Sequence, residues 1–172
     1  MNSDIQFRAA VPADALRLSL LFMQVHIHTY GLEGVTTEFA NFISKQFAVE
    51  RIEQTIARHP GNIIVATYHD NLVGVTEIEL NKKCPVGNLV APELSKLYVM
   101  ERFSGMGVGY GLLHKAEKFL KDNGYNELWL WVWMPNTRAL KFYERQNYEW
   151  IGNAFFQMEY NNYENKVMWK RL

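Results

Sequence analysis

Three alternating glycines mark the segment of this chain whose composition points most directly to chemistry. Gly105, Gly107 and Gly109 follow the strand-like stretch Glu93–Met100 and precede an amphipathic helix. Glycines let backbone N–H groups approach an anion closely, and the positive end of a helix dipole adds to the attraction. Strand, glycine turn and helix in this order therefore predict a phosphate-binding site over Ser104–Gly109. A tight strand-to-helix turn that binds nothing is the alternative interpretation.

The spacing of these glycines argues against two common nucleotide-binding motifs. A P-loop has Gly-Lys-Ser/Thr at its end, and Gly109 is followed by Tyr110 instead of a lysine. A dinucleotide-binding fingerprint has the spacing G-x-G-x-x-G. The sixth position counted from Gly105 is also Tyr110, and the sixth counted from Gly107 is Leu112. A nucleoside triphosphatase and a dinucleotide-binding reductase are both disfavoured.

The elements that position this turn follow from hydrophobic periodicity. Apolar residues recur at helical spacing before residue 60 and at the two-residue spacing of strands from residue 62. Strands are predicted at Ile5–Ala10, Asn62–Tyr68, Leu72–Leu80, Glu93–Met100, Glu127–Met134, Tyr148–Met158 and Lys166–Arg171. Two or three helices are predicted between the first two strands, and further helices at 108–120 and Arg138–Gln146. Asn81–Pro92 is expected to be a polar loop. This order predicts an α/β fold with three layers in one domain, residues 1–172.

Composition limits the partners of the chain. It has 172 residues, 48% of them apolar, with 18 basic and 18 acidic side chains, so its formal net charge is zero. We expect a well-packed protein without general affinity for nucleic acid. The longest apolar run, Leu128–Met134, is too short to span a membrane, and the N-terminus lacks a signal-peptide pattern. These features favour a cytoplasmic location.

A metal site is not expected. The single cysteine, Cys84, rules out an intramolecular disulfide and a zinc site built from several thiolates. Among the histidines only His26 and His28 are close in sequence. Residues separated by two positions do not face each other on a helix.

Two separate motifs resemble those of the GCN5-related N-acetyltransferases (GNAT). The first is x-x-G-x-G, with Gly107 and Gly109 after the strand Leu97-Tyr98-Val99. The second is Asn-x-x-Ala-x-x-Phe-Tyr, represented by Asn136, Ala139, Phe142 and Tyr143. Both stand in the family's order on the predicted elements, and the resemblance is close over residues 93–152. Three stretches further resemble the Pai-type polyamine (spermidine/spermine) acetyltransferases: His28-Thr29-Tyr30, the strand Leu97-Tyr98-Val99 and the strand Trp129-Leu130-Trp131-Val132-Trp133.

The resemblance implies the GNAT fold, a mixed central β-sheet of about six or seven strands flanked by helices. Three positions depart from the family's usual pattern. Ser104 stands where an arginine or glutamine is usual, so a side-chain contact to the pyrophosphate is lost or replaced by a hydroxyl. Asn147 replaces a glycine, but asparagine also adopts the left-handed conformation that ends a helix. Ser95 stands where related members often have glutamate, which weakens any assignment of a base there.

The resemblance also implies acetyl-CoA as donor and a primary amine as acceptor. The amides of Gly105–Gly109 would hold the pyrophosphate. The main chain of Leu97 and Val99 would pair with the pantetheine arm, and the Val99 N–H would polarise the thioester carbonyl. The implied cofactor contacts are Leu97, Tyr98, Val99, Ser104, Gly105, Met106, Gly107, Val108, Gly109, Asn136, Tyr143 and Arg145. Arg145 has the equal alternative of a solvated helix charge.

Tyr143 is the implied general acid. A phenol has a pKa near 10, close enough to that of a thiol to protonate a departing sulfur. The alternative is a tyrosine with a packing role only. The general base stays open among Glu77, Glu79 and Glu93, which all lie on predicted strands or at their start.

Candidates for the acceptor side come from the first long helix. Phe22, His26 and Tyr30 share one of its faces, and Glu33 follows. Residues 1–80 hold 5 basic and 9 acidic side chains, a net charge of −4, whereas residues 81–172 hold 13 and 9, a net charge of +4. This division mildly favours a cationic acceptor such as a polyamine. Acetylation of protein N-termini or lysines, and a non-catalytic CoA-sensing role, stay open, as does a homodimer formed through the aromatic C-terminal strands.

Overall fold

The computed structural model describes residues 4–172, which form seven strands and five α-helices. Met1–Ser3, part of the N-terminus in which no signal peptide is expected, lie outside the described residues. The strands are β1 (Ile5–Ala9), β2 (Ile63–Tyr68), β3 (Asn71–Lys83), β4 (Val90–Val99), β5 (Glu127–Trp133), β6 (Glu149–Gln157) and β7 (Asn162–Arg171). The helices are α1 (Ala15–Tyr30), α2 (Thr37–Gln46), α3 (Val49–Arg58), α4 (Val108–Asp122) and α5 (Thr137–Arg145). The predicted order of elements is confirmed.

The strands form one mixed sheet in the order β1-β2-β3-β4-β5-β7-β6. Strands β2 and β3 form a hairpin: they pair antiparallel, and His69 and Asp70 in its turn have positive φ angles of 47° and 63°. Strands β4 and β5 pair parallel, with Glu93 opposite Trp129. Strand β7 pairs antiparallel with both β5 and β6. The prediction of a mixed sheet is therefore correct.

The chain divides into two compact units, each with its own buried residues. The first comprises the described residues up to Glu77 together with Lys96–Ala116. Its core includes Phe22 and Phe47, whose rings stack with centroids 5.3 Å apart. The second comprises Ile78–Ser95 and Glu117–Leu172. There a buried cluster forms from Cys84, Ala91, Trp129 and Val167, and the Trp129 indole donates to the Ala91 carbonyl at 3.1 Å.

The predicted loop at Asn81–Pro92 is too long. Strand β3 continues to Lys83 and β4 already begins at Val90, so strand pairing takes up both ends of the polar stretch. The reason is that backbone hydrogen bonds, which make a strand, do not depend on polar or apolar side chains. Cys84 and Ala91, one at each side of the shortened loop, are buried.

Three helix ends have residues whose chemistry suits that position. The Thr36 hydroxyl accepts a hydrogen bond from the Phe39 N–H at 3.2 Å and so caps α2. Gly124 after α4 and Asn147 after α5 have φ angles of 82° and 62°, the left-handed conformation expected of helix-ending residues. Within residues 4–172, no helix has the length and apolar character needed to cross a membrane.

Candidate active site

The end of β4 and the glycine turn lie in the first compact unit. Leu97, Tyr98 and Val99 are half-buried at the end of β4, and a single 3-10 turn, Glu101–Phe103, follows. The chain then passes through Ser104–Gly107 and enters α4 at Val108. Strand, glycine turn and helix therefore follow one another as the sequence predicts.

The backbone of this turn has the conformation that only glycine adopts easily. Gly105 has a φ of 78° and Gly107 a φ of 83°. A Cβ at Gly105 would meet no atom of the described residues within 4 Å, so the space above it is open to an anion. The first N–H groups of a helix have no acceptor within that helix. An open approach, a glycine backbone and the start of α4 together fit a pyrophosphate.

Two further glycines fix where α4 begins. A Cβ at Gly74 in β3 would lie 3.0 Å from side-chain carbons of Val108 and Leu112. A Cβ at Gly111 would lie 2.2 Å from the ring of Phe7 on β1. Both glycines are needed because the helix packs too closely for a larger side chain. The first turn of α4 is thereby held against β1 and β3.

The side chain of Ser104, where an arginine or glutamine is usual, contacts a neighbouring carboxylate. Its hydroxyl donates a long hydrogen bond of 3.5 Å to Glu101, and the same carboxylate lies 3.9 Å from the His28 imidazole. Glu101 and His28 side chains are about half exposed. The polar side chains beside the turn thus interact with one another.

The remaining predicted contacts lie in the second unit, around α5. The Asn136 side-chain oxygen accepts from the Ala139 N–H at 3.1 Å, so it caps α5 and leaves its NH₂ group as the possible cofactor contact. Tyr143 is buried, with 7% exposure, and its ring lies edge-on to that of Tyr148 at 5.5 Å. Arg145 is exposed.

The hydroxyl of Tyr148 is hydrogen-bonded to a carboxylate. Its hydroxyl donates to Glu117 at 3.0 Å, and Lys170 donates to the same Glu117 oxygen at 2.7 Å. Burial first, and the Glu117 charge second, raise the pKa of Tyr148 far above its usual value. A raised pKa makes Tyr148 a poor proton donor. Tyr143 stays the candidate acid because of its place in the motif Asn-x-x-Ala-x-x-Phe-Tyr.

Comparison with known proteins places the chain in a family. The sequence pattern of the acetyltransferase (GNAT) family matches residues 32–148, more than half of the chain. The chain belongs to the GNAT family. It is thus an enzyme, an N-acetyltransferase, and the family uses acetyl-CoA. The resemblance seen in the two motifs is confirmed at this level.

Individual relatives of this GNAT protein are distant. An uncharacterized N-acetyltransferase of Mycobacterium bovis is 26% identical over 133 residues, covering 77% of this chain and 81% of the relative. The solved structure of PaiA N-acetyltransferase from Thermoplasma acidophilum, in complex with coenzyme A, has a TM-score of 0.74 at 21% identity, covering 98% and 99% of the two chains. Ribosomal-protein-alanine N-acetyltransferase from Brucella melitensis has a TM-score of 0.76 at 18% identity, with coverage of 97% and 99%. These structures establish the GNAT fold.

The candidate bases of this GNAT protein are partly engaged in ion pairs. Glu77 lies 2.8 Å from Lys96, and both side chains are close to buried, at 12% and 11% exposure. Glu79 lies 2.9 Å from Lys82 in a more exposed pair. Glu93 is half-buried on β4. No group of three or more His, Cys, Asp or Glu residues in the part of the chain described here has a metal-binding arrangement.

Sequence reasoning missed how the acceptor candidates meet β4. His26 Nδ1 and the Tyr98 hydroxyl are hydrogen-bonded at 3.2 Å, and Tyr30 also hydrogen-bonds the Tyr98 side chain. The helical spacing of Phe22, His26 and Tyr30 is a signal for one shared face, but nothing local indicates that Tyr98 lies opposite. The Lys96–Glu77 pair was missed for the same reason, because it joins two different strands.

Proposed function

We propose that this protein transfers the acetyl group of acetyl-CoA directly to the primary amine of a small molecule while both substrates are bound. The observation that carries the proposal is the glycine turn. It has two left-handed glycines, an open approach above Gly105 and a helix start, in a chain that belongs to the GNAT family.

Residues of the first unit hold the donor in this proposal. The backbone amides of Gly105–Gly109 bind the pyrophosphate. Main-chain groups of Leu97 and Val99 pair with the pantetheine arm as an added strand would. The Val99 N–H donates to the thioester carbonyl oxygen and stabilises the negative charge that develops there during attack. Acetyl-CoA supplies an activated acetyl group.

Tyr143 supplies the proton that the leaving group needs. The amine nitrogen forms a bond to the carbonyl carbon, the carbon–sulfur bond breaks, and the Tyr143 hydroxyl protonates the sulfur. The amine gives up one proton, which passes to solvent or to one of the strand carboxylates. An amine that binds in its uncharged form does not need a strong base on the protein.

The acceptor class rests on two lines of support. The net charge of −4 in residues 1–80 is compatible with a cationic small molecule. The sequence resemblance to Pai-type enzymes makes spermidine and spermine the sub-class to include first in a screen. Peptide amino termini and lysines are the second class of acceptor to include in the screen. A cytoplasmic location and a homodimer remain predictions.

Ligand-induced stabilisation and thiol release test this proposal together. Acetyl-CoA should raise the melting temperature, whereas nicotinamide dinucleotides should leave it unchanged. Release of the CoA thiol should then depend on an added amine when polyamines, arylalkylamines, aminoglycosides, amino acids and peptides are compared. Stabilisation by a dinucleotide but not by acetyl-CoA would overturn the donor assignment, and thiol release with peptides alone would overturn the small-molecule assignment.

A further inference from the structure

An aromatic patch covers one side of β4 in the first unit. Four half-buried rings form its surface: His26, Tyr30, Phe42 and Tyr98. Buried rings of Phe22, Phe39 and Phe47 lie beneath them. The imidazole of His26 is at the centre of the patch. Its ring centroid lies 4.4 Å from that of Tyr30, 5.7 Å from that of Phe42 and 6.3 Å from that of Tyr98. The centroids of the buried rings of Phe39 and Phe47 lie 5.4 Å and 5.2 Å away.

The aromatic patch carries no net charge. Burial first, and the nearby Lys96 second, lower the pKa of His26 to about 4, so its imidazole is neutral at pH 7. Lys96 is a charged side chain beside the patch, with its ammonium 5.6 Å from the centre of the Phe22 ring. Its charge is balanced by Glu77, 2.8 Å away. A ligand on the patch therefore meets rings, hydroxyls, a neutral imidazole and a paired ammonium.

The patch is adjacent to the residues proposed to hold the thioester. Side chains two positions apart on a strand point to the same face, so Lys96 and Tyr98 share one face and flank Leu97. Tyr98 directly precedes Val99, the residue whose N–H is proposed to polarise the carbonyl. An acceptor that reaches this carbonyl from the patch side has its amine near Val99 and the rest of its structure against the rings.

We propose that the aromatic patch binds the acceptor, and that the acceptor is a monoamine with an apolar, preferably aromatic, substituent. This inference rests on the proposed acetyl transfer and narrows its acceptor. Rings stack well on other rings, and the half-buried hydroxyls and imidazole provide hydrogen bonds for one amine. A second ammonium, as in a polyamine, would face Lys96 and a carboxylate that is already paired, and a desolvated like charge is disfavoured.

The preference of the intact enzyme is the first test. With 2-phenylethylamine and spermidine as probes, kcat/KM should be at least about tenfold higher for 2-phenylethylamine. A preference for spermidine, with normal binding of acetyl-CoA, would overturn the acceptor class and leave the acetyltransferase proposal intact. A protein that neither binds acetyl-CoA nor releases thiol with any amine would instead contradict the proposed function itself.

The second test changes the charges of the Lys96–Glu77 pair. Lys96→Met removes the positive charge that balances the Glu77 carboxylate beside the patch, so the ratio of kcat/KM for spermidine over 2-phenylethylamine should rise about tenfold. The double variant Lys96→Met/Glu77→Gln removes both charges and should return to the wild-type ratio. It also avoids a buried carboxylate that has lost its lysine, so it remains informative if the single variant folds poorly. Equal ratios in all three proteins would place the acceptor elsewhere.

Phe42 tests the patch without changing any charge. Phe42→Ser should lower kcat/KM for 2-phenylethylamine about tenfold and leave the Kd of acetyl-CoA unchanged. Leu20→Ser, an exposed change on α1 outside the patch, is the matched control and should leave both quantities unchanged. An effect of Phe42→Ser that is no larger than that of Leu20→Ser would contradict the proposal.

Discussion

At the scale of single residues, two neighbouring tyrosines of the second unit differ in what their hydroxyls can do. Tyr148 donates its proton to Glu117, which is also hydrogen-bonded to Lys170. Tyr143 is the tyrosine of the family motif, and its ring is held edge-on against Tyr148. We therefore propose a catalytic role for Tyr143 and a structural role for Tyr148.

Replacing each hydroxyl separates the two roles. Tyr143→Phe should lower kcat about 100-fold, because the sulfur loses its proton donor, and should leave the Kd of acetyl-CoA unchanged. Tyr148→Phe should lower the free energy of unfolding by about 1–2 kcal/mol, because Glu117 loses a buried hydrogen bond, and should change kcat far less. Steady-state kinetics and urea unfolding measure these effects. Full turnover in Tyr143→Phe would remove this residue from the mechanism.

The sequence allows one of these tyrosines to be interpreted but not the other. Tyr143 is identifiable because it ends a recognisable local motif. The Glu117 network joins residues 31 and 53 positions apart in the chain, so no local spacing indicates it. The meeting of His26 with Tyr98, 72 positions away, is hidden for the same reason. Contacts of this kind depend on how the elements pack, which periodicity does not specify.

At the scale of elements, the turn between β4 and α4 is the part that the sequence describes best. Glycine spacing predicts both its place and its backbone conformation, and Gly105 and Gly107 have the positive φ angles that explain the residue type. The ends of β3 and β4 were predicted less well because polar side chains at Asn81–Lys83 conceal a strand whose backbone is paired. The sequence thus predicts local constraints on the backbone, whereas the length of a strand depends on the strands that pair with it.

A matched pair of glycine variants tests the role of the turn. Gly105→Ala and Gly87→Ala both place a Cβ at a positive φ, 78° and 70°, with open space around it. Each should therefore lower the free energy of unfolding by about 1 kcal/mol. Only Gly105→Ala should weaken binding of acetyl-CoA, by about tenfold, because its Cβ occupies the approach of the pyrophosphate. Calorimetric titration distinguishes the two, and equal Kd values would contradict the assignment.

Asp14 connects β1 to the start of α1. Its carboxylate is fully buried and accepts hydrogen bonds from Arg8 at 2.6 Å, from the Val11 N–H at 2.9 Å and from Arg17. The Arg8 hydrogen bond is the largest cause that lowers the pKa of Asp14 from 3.8 to about 2, against the opposing effect of burial. A carboxyl with a lowered pKa stabilises the fold above pH 4, and this stabilisation is lost as the pH falls towards 2.

Removing this carboxylate should therefore change both stability and its pH dependence. Asp14→Ala should lower the free energy of unfolding by about 2 kcal/mol at pH 7, a modest value because water screens the half-exposed arginines. It should also flatten the decrease in stability between pH 4 and pH 2. Asp122→Ala, which breaks an exposed pair with Lys118, is the control and should cost less than about 0.5 kcal/mol. Identical acid-unfolding curves for wild type and Asp14→Ala would contradict this role.

At the scale of the whole molecule, the net charge of zero is the sum of an acidic and a basic half of the sequence. This division says less about the acceptor than the ion pair beside the aromatic patch does. The halves of the sequence differ by eight charges, from −4 to +4. That division suggests a cationic acceptor, but beside the aromatic patch Glu77 is paired with Lys96 and the pair is neutral. Recognition depends on charges at the binding surface, so the local pair carries more weight in the choice between a polyamine and an aromatic monoamine.

The most direct test of the central claim is a two-substrate kinetic experiment on the preferred amine. Initial rates of thiol release are measured while acetyl-CoA and amine are varied together, and the acetylated amine is quantified by mass spectrometry. Direct transfer predicts intersecting lines in the double-reciprocal plot and one acetylated amine for each CoA released. Parallel lines, which indicate an acetylated enzyme intermediate, or thiol release without an acetylated amine, would contradict it.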